Sequence, residues 1–187
     1  ELASLEAEKV RAEASNNQAE LARINSQIAL QSQLFVLVTA TSAAPVGRWL
    51  ALAIVVIVAD QLTKVAVLSA FRPGDELALL PFLSFVLTFN RGAAFSFLAG
   101  ADGWQRWLFA TIAVAAAVFI VWLLKRGGSR LYCLGLALIL GGAIGNLIDR
   151  LWLGQVVDFV LVHWRGWTYP AFNVADSAIT IGAACLI

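Results

Sequence analysis

Six charged residues within or beside long apolar segments are the candidates for chemistry in this sequence. Charged groups in apolar surroundings are costly to desolvate, so they mark functional sites by default. All six fall toward the same end of the segments that contain or border them; they are Asp60, Lys64, Asp149, Arg150, Asp158 and Asp176. This convergence is the most informative functional signal in the sequence.

Asp158 and Asp176 have the chemistry of a catalytic acid–base pair. Asp158 lies within the apolar stretch Val-Val-Asp-Phe-Val. Asp176 follows Pro170 and Asn173 and lies about 6 Å into a predicted helix, at 1.5 Å per residue. Two carboxyl groups close together in such surroundings cannot both ionise easily, so one keeps a proton. One then acts as general base toward water and the other as general acid, although spacing alone does not show that they meet.

Asp60 and Lys64 are four residues apart, so on a helix they share a face and can form an ion pair. The pair lies in the half of its segment nearest the other charged residues, where the long Lys64 side chain is expected to reach the surface. A structural ion pair is the favoured interpretation, with support of the site as the alternative.

Asn146, Asp149 and Arg150 also share a helix face, because their spacing is i, i+3 and i+4. Arg150 is expected to brace Asp149 or a loop carbonyl through charge-assisted hydrogen bonds. Upstream, Gly141 and Gly145 form a GxxxG pattern, which lets a second helix approach closely. We interpret this face as support for the site, with a purely structural helix end as the alternative.

The composition places these residues in a membrane protein. Hydrophobic residues make up 60% and charged residues 13% of the 187 positions, against about 45–50% and about 25% in soluble domains. Four apolar runs approach the roughly 20 residues that a helix needs to cross a bilayer, where only helices satisfy their own backbone. They cover residues 49–68, 104–124, 131–148 and 172–187. The sequence therefore predicts an all-α membrane fold with four transmembrane helices.

Charges in the short loops indicate the orientation of these spans. Basic residues precede the first span and lie between the second and third; they are Arg48, Lys125, Arg126 and Arg130. The positive-inside rule places these ends in the cytoplasm and the two longer loops, residues 72–102 and 149–171, outside. Tryptophans cluster at the outer ends, as in an aromatic belt; they are Trp104, Trp152, Trp164 and Trp167.

The two outer loops contain segments with strand character. Residues 79–89 and 156–163 are rich in Val, Phe and Leu, with Pro81 and Gly154 as turn signals. We therefore expect a small extracytoplasmic β-sheet that gives the site a rigid platform.

Residues 1–47 differ from the rest and predict a soluble N-terminal helical extension before a membrane domain of residues 48–187. A weak heptad pattern begins in the first 33 residues; its positions are Ala7, Val10, Ala14, Asn17, Leu21, Ile24, Ile28, Gln31 and Phe35. A coiled coil with a helical partner for residues 1–33 and a solvated helix without one both fit this pattern. The chain starts at Glu1 and has no methionine, so we expect a fragment of a longer sequence.

The remaining composition excludes several other chemistries. Cys133 and Cys185 lie within apolar runs and are interpreted as buried hydrophobic side chains. Cys133 lies at the opposite end of its span from the loop with His163, the only histidine, which disfavours a Cys–His nucleophile. No cysteine spacing indicates zinc, and the aspartate chemistry requires no metal or cofactor. A net charge of +1 gives no reason to expect nucleic acid as a partner.

Five segments of the sequence, in order, resemble the lipoprotein signal peptidases of bacteria, the type II signal peptidases. They are residues 60–64 (DQLTK), 89–96 (FNRGAAFS), 141–150 (GGAIGNLIDR), 156–159 (VVDF) and 172–177 (FNVADS). Each segment alone is weak, whereas five in order across four spans are highly specific. The resemblance covers residues 48–187 and leaves the N-terminal extension without a counterpart.

This resemblance implies an aspartic endopeptidase of the bacterial inner membrane whose active site faces the periplasm. The matching positions imply Asp158 and Asp176 as the catalytic pair. Residues that line or brace the site would be Asn90, Gly92, Asn146, Arg150 and Asn173, while Asp60 and Lys64 match a structural motif. Substrates would be prolipoproteins with diacylglyceryl on a cysteine, cut before that cysteine, with membrane lipid in contact. Globomycin, a cyclic depsipeptide antibiotic that inhibits the family, is expected to bind.

Two other functions are open on the sequence. An ion- or proton-coupled transporter would use Asp60, Asp158 and Asp176 as relay groups, but the inner halves of the last three spans hold no acidic or basic residue. A non-enzymatic scaffold would explain residues 1–33 as a recruiting helix, but not the convergence of carboxylates. The peptidase is the preferred interpretation.

Overall fold

The computed structural model describes residues 2–14, 17–42, 45–92 and 103–187. It divides the chain into two compact units, Glu1–Ala44 and Pro45–Ile187. Residues 93–96, the end of one of the five motif segments, lie outside the described residues.

The N-terminal unit is a pair of helices, α1 (Leu2–Ala14) and α2 (Gln18–Ser42), that pack on each other. The prediction of a single helix is wrong, because a new helix begins after Asn17. The Asn17 side chain accepts a hydrogen bond from the backbone N–H of Glu20 (3.2 Å) and donates one to the Glu20 carboxylate (3.0 Å). This bonding at an N-cap satisfies a donor that has no partner within the helix.

The heptad pattern holds in α2 only. Ile24 is buried, and Leu21 and Ile28 on the same face are half-buried. In α1 the buried position is Ala12, whereas the predicted seam residue Val10 is 65% exposed. The described side chains of this unit therefore form no continuous coiled-coil seam, and the side chain of the last seam position, residue 35, is outside them.

The membrane unit contains, within the described residues, three helices long and apolar enough to cross a bilayer. They are α3 (Val46–Ala70), α4 (Gln105–Arg126) and α5 (Arg130–Trp152), which match the first three predicted spans. The fourth predicted span contains the shorter apolar helix α6 (Val174–Ala184), with 11 residues. Such a helix rises about 17 Å, less than the roughly 30 Å of a hydrocarbon core. A helical membrane architecture is confirmed, whereas the count of four spans is not.

Helix α5 is the centre of this unit, because α3, α4 and α6 all pack on it. A Cβ atom added at Gly141 would lie 2.8 Å from the carbonyl oxygen of Ala53 in α3. One added at Gly145 would lie 2.6 Å from the Asp60 carboxylate, also in α3. The GxxxG prediction is therefore confirmed, and the helix that approaches these glycines is α3.

A small antiparallel sheet completes the unit, as predicted. Its strands follow the chain in spatial order; they are β1 (Glu76–Leu80), β2 (Leu83–Asn90), β3 (Val156–Trp164) and β4 (Trp167–Thr168). The predicted strand 79–89 is divided between β1 and β2 at Pro81, because proline has no N–H to donate to a ladder.

The register of β2 against β3 determines which side chains face the site. Thr88 pairs with Asp158 and Phe89 pairs with Val157, and the register shifts between Phe85 and Thr88 as in a β-bulge. Side chains alternate across a strand, so Thr88 and Asp158 point to one face and Phe89 and Val157 to the other.

The second face of the sheet is packed against the helices. Val67 of α3 forms a buried cluster with Leu87, Val157 and Phe159, and half-buried Val174 of α6 packs against it. Burial of an aliphatic or aromatic side chain contributes about 1.5–3 kcal/mol. The cluster therefore fixes β3 beside both the end of α3 and the start of α6.

Gly142→Ala tests the close packing of α5 on α6. A Cβ atom at Gly142 would overlap the backbone carbonyl oxygen of Ala175 in α6, so the two helices would have to separate. We expect a loss of about 1–3 kcal/mol in unfolding free energy, typical of overpacking, measured by thermal unfolding in detergent. Gly47→Ala is the matched control, since a Cβ there meets nothing within 4 Å. An equal shift in both variants would contradict the packing explanation.

Candidate active site

Asn173 sets the start of α6. Its Oδ1 atom accepts a hydrogen bond from the backbone N–H of Asp176 (2.9 Å), and the Asp176 carboxylate accepts one from the backbone N–H of Asn173 (3.3 Å). This capping box satisfies two donors at the helix end. The helix therefore begins at Val174 rather than at Phe172 as predicted, and the Asp176 carboxylate is held in the first turn.

The same asparagine reaches the second carboxylate. Asn173 Nδ2 lies 2.7 Å from Asp158 Oδ1 and 3.1 Å from the carbonyl oxygen of Val157. Asn173 is fully buried, and Asp158 is 2% exposed. The structure thus brings Asp158 and Asp176 to two sides of one side chain, a proximity that their spacing in the sequence left open.

Asn146 connects this pair to the helices. Its Nδ2 atom donates to Asp176 Oδ1 (2.8 Å), and its Oδ1 atom accepts from Lys64 Nζ (2.9 Å) and Asn173 Nδ2 (3.2 Å). Both ends of the amide are therefore bonded, which fixes its orientation. Both oxygens of Asp176 also have a donor, since the second accepts from the Asn173 backbone.

Lys64 lies in the protein interior, with 1% of its surface exposed. Its Nζ atom is 2.8 Å from Asp60 and 2.9 Å from Asp149. The predicted Asp60–Lys64 pair is confirmed, whereas the prediction that Lys64 reaches the surface is wrong. An ammonium group donates three hydrogen bonds, and Asp60, Asp149 and Asn146 accept all three, so the side chain would lose them by extending to the surface.

The two acids bound to Lys64 also hold the main chain of the site. Asp60 Oδ1 accepts from the backbone N–H of Ala175 (2.9 Å), and Asp149 Oδ2 accepts from that of Val157 (3.0 Å). Each bonded residue directly precedes one of the two site carboxylates. The buried ion cluster therefore positions the backbone on both sides of the pair.

Gln61 is a further member of this cluster that sequence reasoning missed. Its Nε2 atom is 3.2 Å from Asp60 Oδ2, 3.0 Å from Asp149 Oδ1 and 3.2 Å from the carbonyl oxygen of Gly145. The available signal was a polar residue directly after Asp60 in an apolar helix. Its acceptors in α5 lie more than 80 positions later, so spacing along one helix could not reveal them.

Arg150 braces a loop and does not bond Asp149. Its guanidinium donates to the carbonyl oxygens of Gly92 (3.1 Å) and Asn146 (3.3 Å). Of the two partners expected from the sequence, the loop carbonyl is therefore correct. The Gly92 N–H in turn donates to Asn90 Oδ1 (2.9 Å), so the chain after β2 is held close to α5.

The surroundings of Asp158 raise its pKa to about 7. Desolvation by burial is the largest cause, and the charge of Asp176 is the second. Hydrogen bonds from Asn173 and Asn90 and the charge of Lys64 lower the pKa and offset part of the rise. Such a carboxyl group can both give and accept a proton near neutral pH.

A cavity of about 1130 Å³ includes the carboxylate pair in its lining. Its polar lining at the site consists of Asn90, Asn146, Arg150, Asp158 and Asp176. Apolar residues of α4, α5 and α6 line another part; they are Phe109, Ile112, Ala113, Ala116, Ala143 and Ile179. The cavity therefore suits a substrate with both polar and long apolar groups.

Apolar helices of spanning length, with two aspartate carboxyl groups lining a cavity beside them, define a membrane protein with groups that can take part in hydrolysis. The family model described as Signal peptidase (SPase) II matches residues 52–187. The chain belongs to the signal peptidase II family and is a membrane peptidase. The site residues also lie within the matched range, whereas residues 1–51 are outside it.

Curated relatives and solved structures agree with this membership. A lipoprotein signal peptidase of Ralstonia nicotianae is 59% identical over 143 residues, which cover 76% of this chain and 83% of that protein. One of Paraburkholderia phymatum is 59% identical over 140 residues, 74% of this chain and 84% of the relative. A bacterial membrane enzyme solved by the in meso method at 2.3 Å has a TM-score of 0.70 and 30% identity, covering 78% of this chain and 88% of that one.

Membership in a peptidase family decides between the functions left open by the sequence. The transporter and the non-enzymatic scaffold are both excluded as the function of the membrane unit. Removal of signal peptides from prolipoproteins is the function of the family to which this unit belongs.

Asp158→Asn is expected to change the pH dependence of stability. A carboxyl group with a raised pKa binds its proton more tightly in the folded state, so the unfolding free energy falls as pH rises from about 4 to about 7. The fall attributable to one group is at most about 1.4 kcal/mol per pH unit. Asparagine does not titrate, so thermal unfolding of the variant in detergent should depend less on pH in this range. Equal slopes in the two proteins would contradict the raised pKa.

Proposed function

We propose that this chain is an aspartic endopeptidase that cleaves prolipoproteins directly before a cysteine carrying diacylglyceryl, with Asp158 and Asp176 as the catalytic pair. The observation that carries the proposal is that Asn173 forms hydrogen bonds with both carboxyl groups. Both carboxyl groups also line the same cavity. Water, a scissile peptide bond and both carboxyl groups can meet at such a position.

The proposed reaction starts with one carboxyl group protonated and the other ionised. The ionised group removes a proton from water, whose oxygen bonds to the scissile carbonyl carbon, while the protonated group gives its proton to the carbonyl oxygen. The C–N bond then breaks as the first group protonates the departing amine and the second recovers a hydroxyl proton. One water is consumed, and the pair returns to its initial state. The shared proton belongs to the pair rather than to either residue.

The other predicted site residues are proposed to position this pair. Amides of Asn90, Asn146 and Asn173 bond the carboxyl groups directly. The others hold main chain or each other; they are Asp60, Lys64, Gly92, Asp149 and Arg150. Most donors to the pair are neutral amides, which orient the carboxyl groups without forcing both to ionise.

The apolar wall of the cavity supports the lipid part of the proposal. Helices α4 and α6 both pack on α5 but make little contact with each other among the described residues. Acyl chains can therefore enter between them from the bilayer, while peptide and water approach from outside. A globomycin-type inhibitor, which is a cyclic depsipeptide, is proposed to bind in the same cavity.

We further propose an inner-membrane location with the site facing the periplasm and with α6 as a fourth span. Basic residues at one set of helix ends support this orientation; they are Arg48, Lys125, Arg126 and Arg130. Trp104 and Trp152 lie at the opposite ends and are 53% and 83% exposed, as expected of an interfacial belt.

Asp158→Asn and Asp176→Asn are each expected to abolish cleavage, because neither amide can exchange a proton as the mechanism requires. The measurement is a gel-shift assay on a diacylated precursor, with globomycin as an inhibitor control. Glu8→Gln, which removes an exposed carboxylate of α1, is the matched control and should leave the rate unchanged. Normal turnover in either aspartate variant would refute the catalytic pair.

Residues 1–47 are proposed to be an appended helical segment that takes no part in cleavage. The family match begins at residue 52, and the membrane unit begins at Pro45. Half-exposed and exposed apolar side chains on α2 leave a face for a helical partner of residues 1–33.

Deletion of residues 1–44 is therefore expected to leave cleavage of the diacylated precursor within about twofold of the full chain. Because the deletion ends at the boundary between the two units, the membrane unit should keep its thermal midpoint in detergent. A large loss of activity at an unchanged midpoint would assign the N-terminal unit a direct role in catalysis or substrate binding.

A further inference from the structure

Strand β1 covers only part of β2. Its pairs run from Leu80 with Leu83 to Glu76 with Val86. Before Glu76 the chain leaves the sheet in a turn closed on itself, because the Asp75 N–H bonds the Arg72 carbonyl (2.9 Å) and the Asp75 carboxylate bonds the Arg72 N–H (2.7 Å). Residues 87–90 of β2 therefore have no strand on their outer side among the described residues.

The uncovered part of β2 directs main-chain groups outward at Phe89. Its partner on β3, Val157, donates its N–H to Asp149 and accepts at its carbonyl oxygen from Asn173. The main-chain groups of Val157 thus point away from β2. When one residue of an antiparallel pair directs its N–H and C=O away from the partner strand, the residue opposite it does the same. The Phe89 N–H and C=O accordingly face the open side, where no described residue bonds them.

This open edge belongs to the same cavity as the carboxylate pair. Val86, Leu87, Thr88, Phe89 and Asn90 all line it. Thr88 is exposed and lies directly opposite Asp158, on the same face of the sheet. The four open positions span about 13 Å, enough for three or four residues of an extended peptide.

We propose that the substrate segment beside the scissile bond binds as an added β-strand on residues 87–90 of β2, with its main chain bonded to Phe89. The proposal rests on the peptidase function proposed above and adds the recognition of the peptide backbone. Main-chain bonding to a strand edge gives affinity that is independent of side chains, which suits an enzyme whose substrates share a lipidated cysteine rather than a long sequence.

Strand geometry predicts which substrate residues are involved. An added strand lies two strand spacings from β3, about 9.6 Å, which is the length of about three extended residues. The segment on the edge is therefore expected to lie two to four residues from the scissile bond, with the chain between them crossing over Thr88 to reach Asp158. Every second amide of an added strand faces the edge, so removal of an amide N–H should impair cleavage only at alternate positions.

The substrate test uses synthetic diacylated precursor peptides and the full chain. Each amide within four residues on either side of the scissile bond, the scissile bond excepted, is replaced in turn by an ester, which removes one N–H donor. We expect an ester to lower kcat/KM at least about tenfold at one position or at alternate positions, where the lost N–H faced the edge. At the other positions we expect kcat/KM to fall less than about threefold. Equal losses at all positions, or no losses, would overturn the added strand.

The enzyme test compares Phe89→Pro with Phe89→Leu. Proline removes the outward N–H, and it is tolerated at a sheet edge where the N–H makes no ladder bond. Leucine keeps the N–H and fills part of the space that the ring occupies beside the buried cluster. We expect Phe89→Pro to lower kcat/KM at least about tenfold. We expect Phe89→Leu to lower it less than about threefold. Equal losses in two folded variants would overturn the proposal, and the ester series decides alone if the proline variant does not fold.

The aspartate variants separate failure of this proposal from failure of the proposed function. Loss of cleavage in Asp158→Asn and Asp176→Asn together with a flat ester series would reject the added strand and retain the peptidase mechanism. Cleavage that persists in both aspartate variants would reject the mechanism, whatever the ester series gives.

Discussion

The Lys64 ammonium between Asp60 and Asp149 is the interaction on which the rest of the site depends. Removing an ammonium from water costs several kcal/mol, so a buried lysine is stable only when its donors are filled and its charge is balanced. Here two carboxylates and the Asn146 amide accept its three hydrogen bonds. Loss of the cation would leave two buried carboxylates facing each other, which is more costly than loss of the cation's own contacts.

The geometry of the carboxylate pair follows from this cluster. The carboxylates of Asp60 and Asp149 also accept hydrogen bonds from the backbone immediately before Asp176 and Asp158, so α6 is tied to α3 and β3 is tied to α5. The start of α6 and the strand β3 each contribute one member of the pair. Asn173 then sets the final relation between them, because its amide bonds one carboxylate and its backbone bonds the other.

Much of this arrangement was predictable, but only where the relevant spacing lies within one element. The Asp60–Lys64 pair and the GxxxG approach follow from helix periodicity, and the family-like segments selected Asp158 and Asp176 from among the acids. The burial of Lys64 was not predictable, since two of its three partners, Asn146 and Asp149, come from another helix. The break at Asn17 was missed because asparagine fits a heptad seam and an N-cap equally well, and only tertiary packing distinguishes them.

The carboxylate pair lies where the sheet meets the helices, and this position explains why the site needs both. Between its ends a helix satisfies its own backbone, which is why helices can line an acyl-chain path in lipid, but there it offers no free main-chain donors to a peptide. A strand edge offers such donors, and it is stable only where water or a partner strand can reach it. Asp158 comes from the sheet and Asp176 from the helical layer, so the pair forms where these two kinds of surface meet. A lipid-linked peptide is the kind of substrate that presents both kinds of group at one bond.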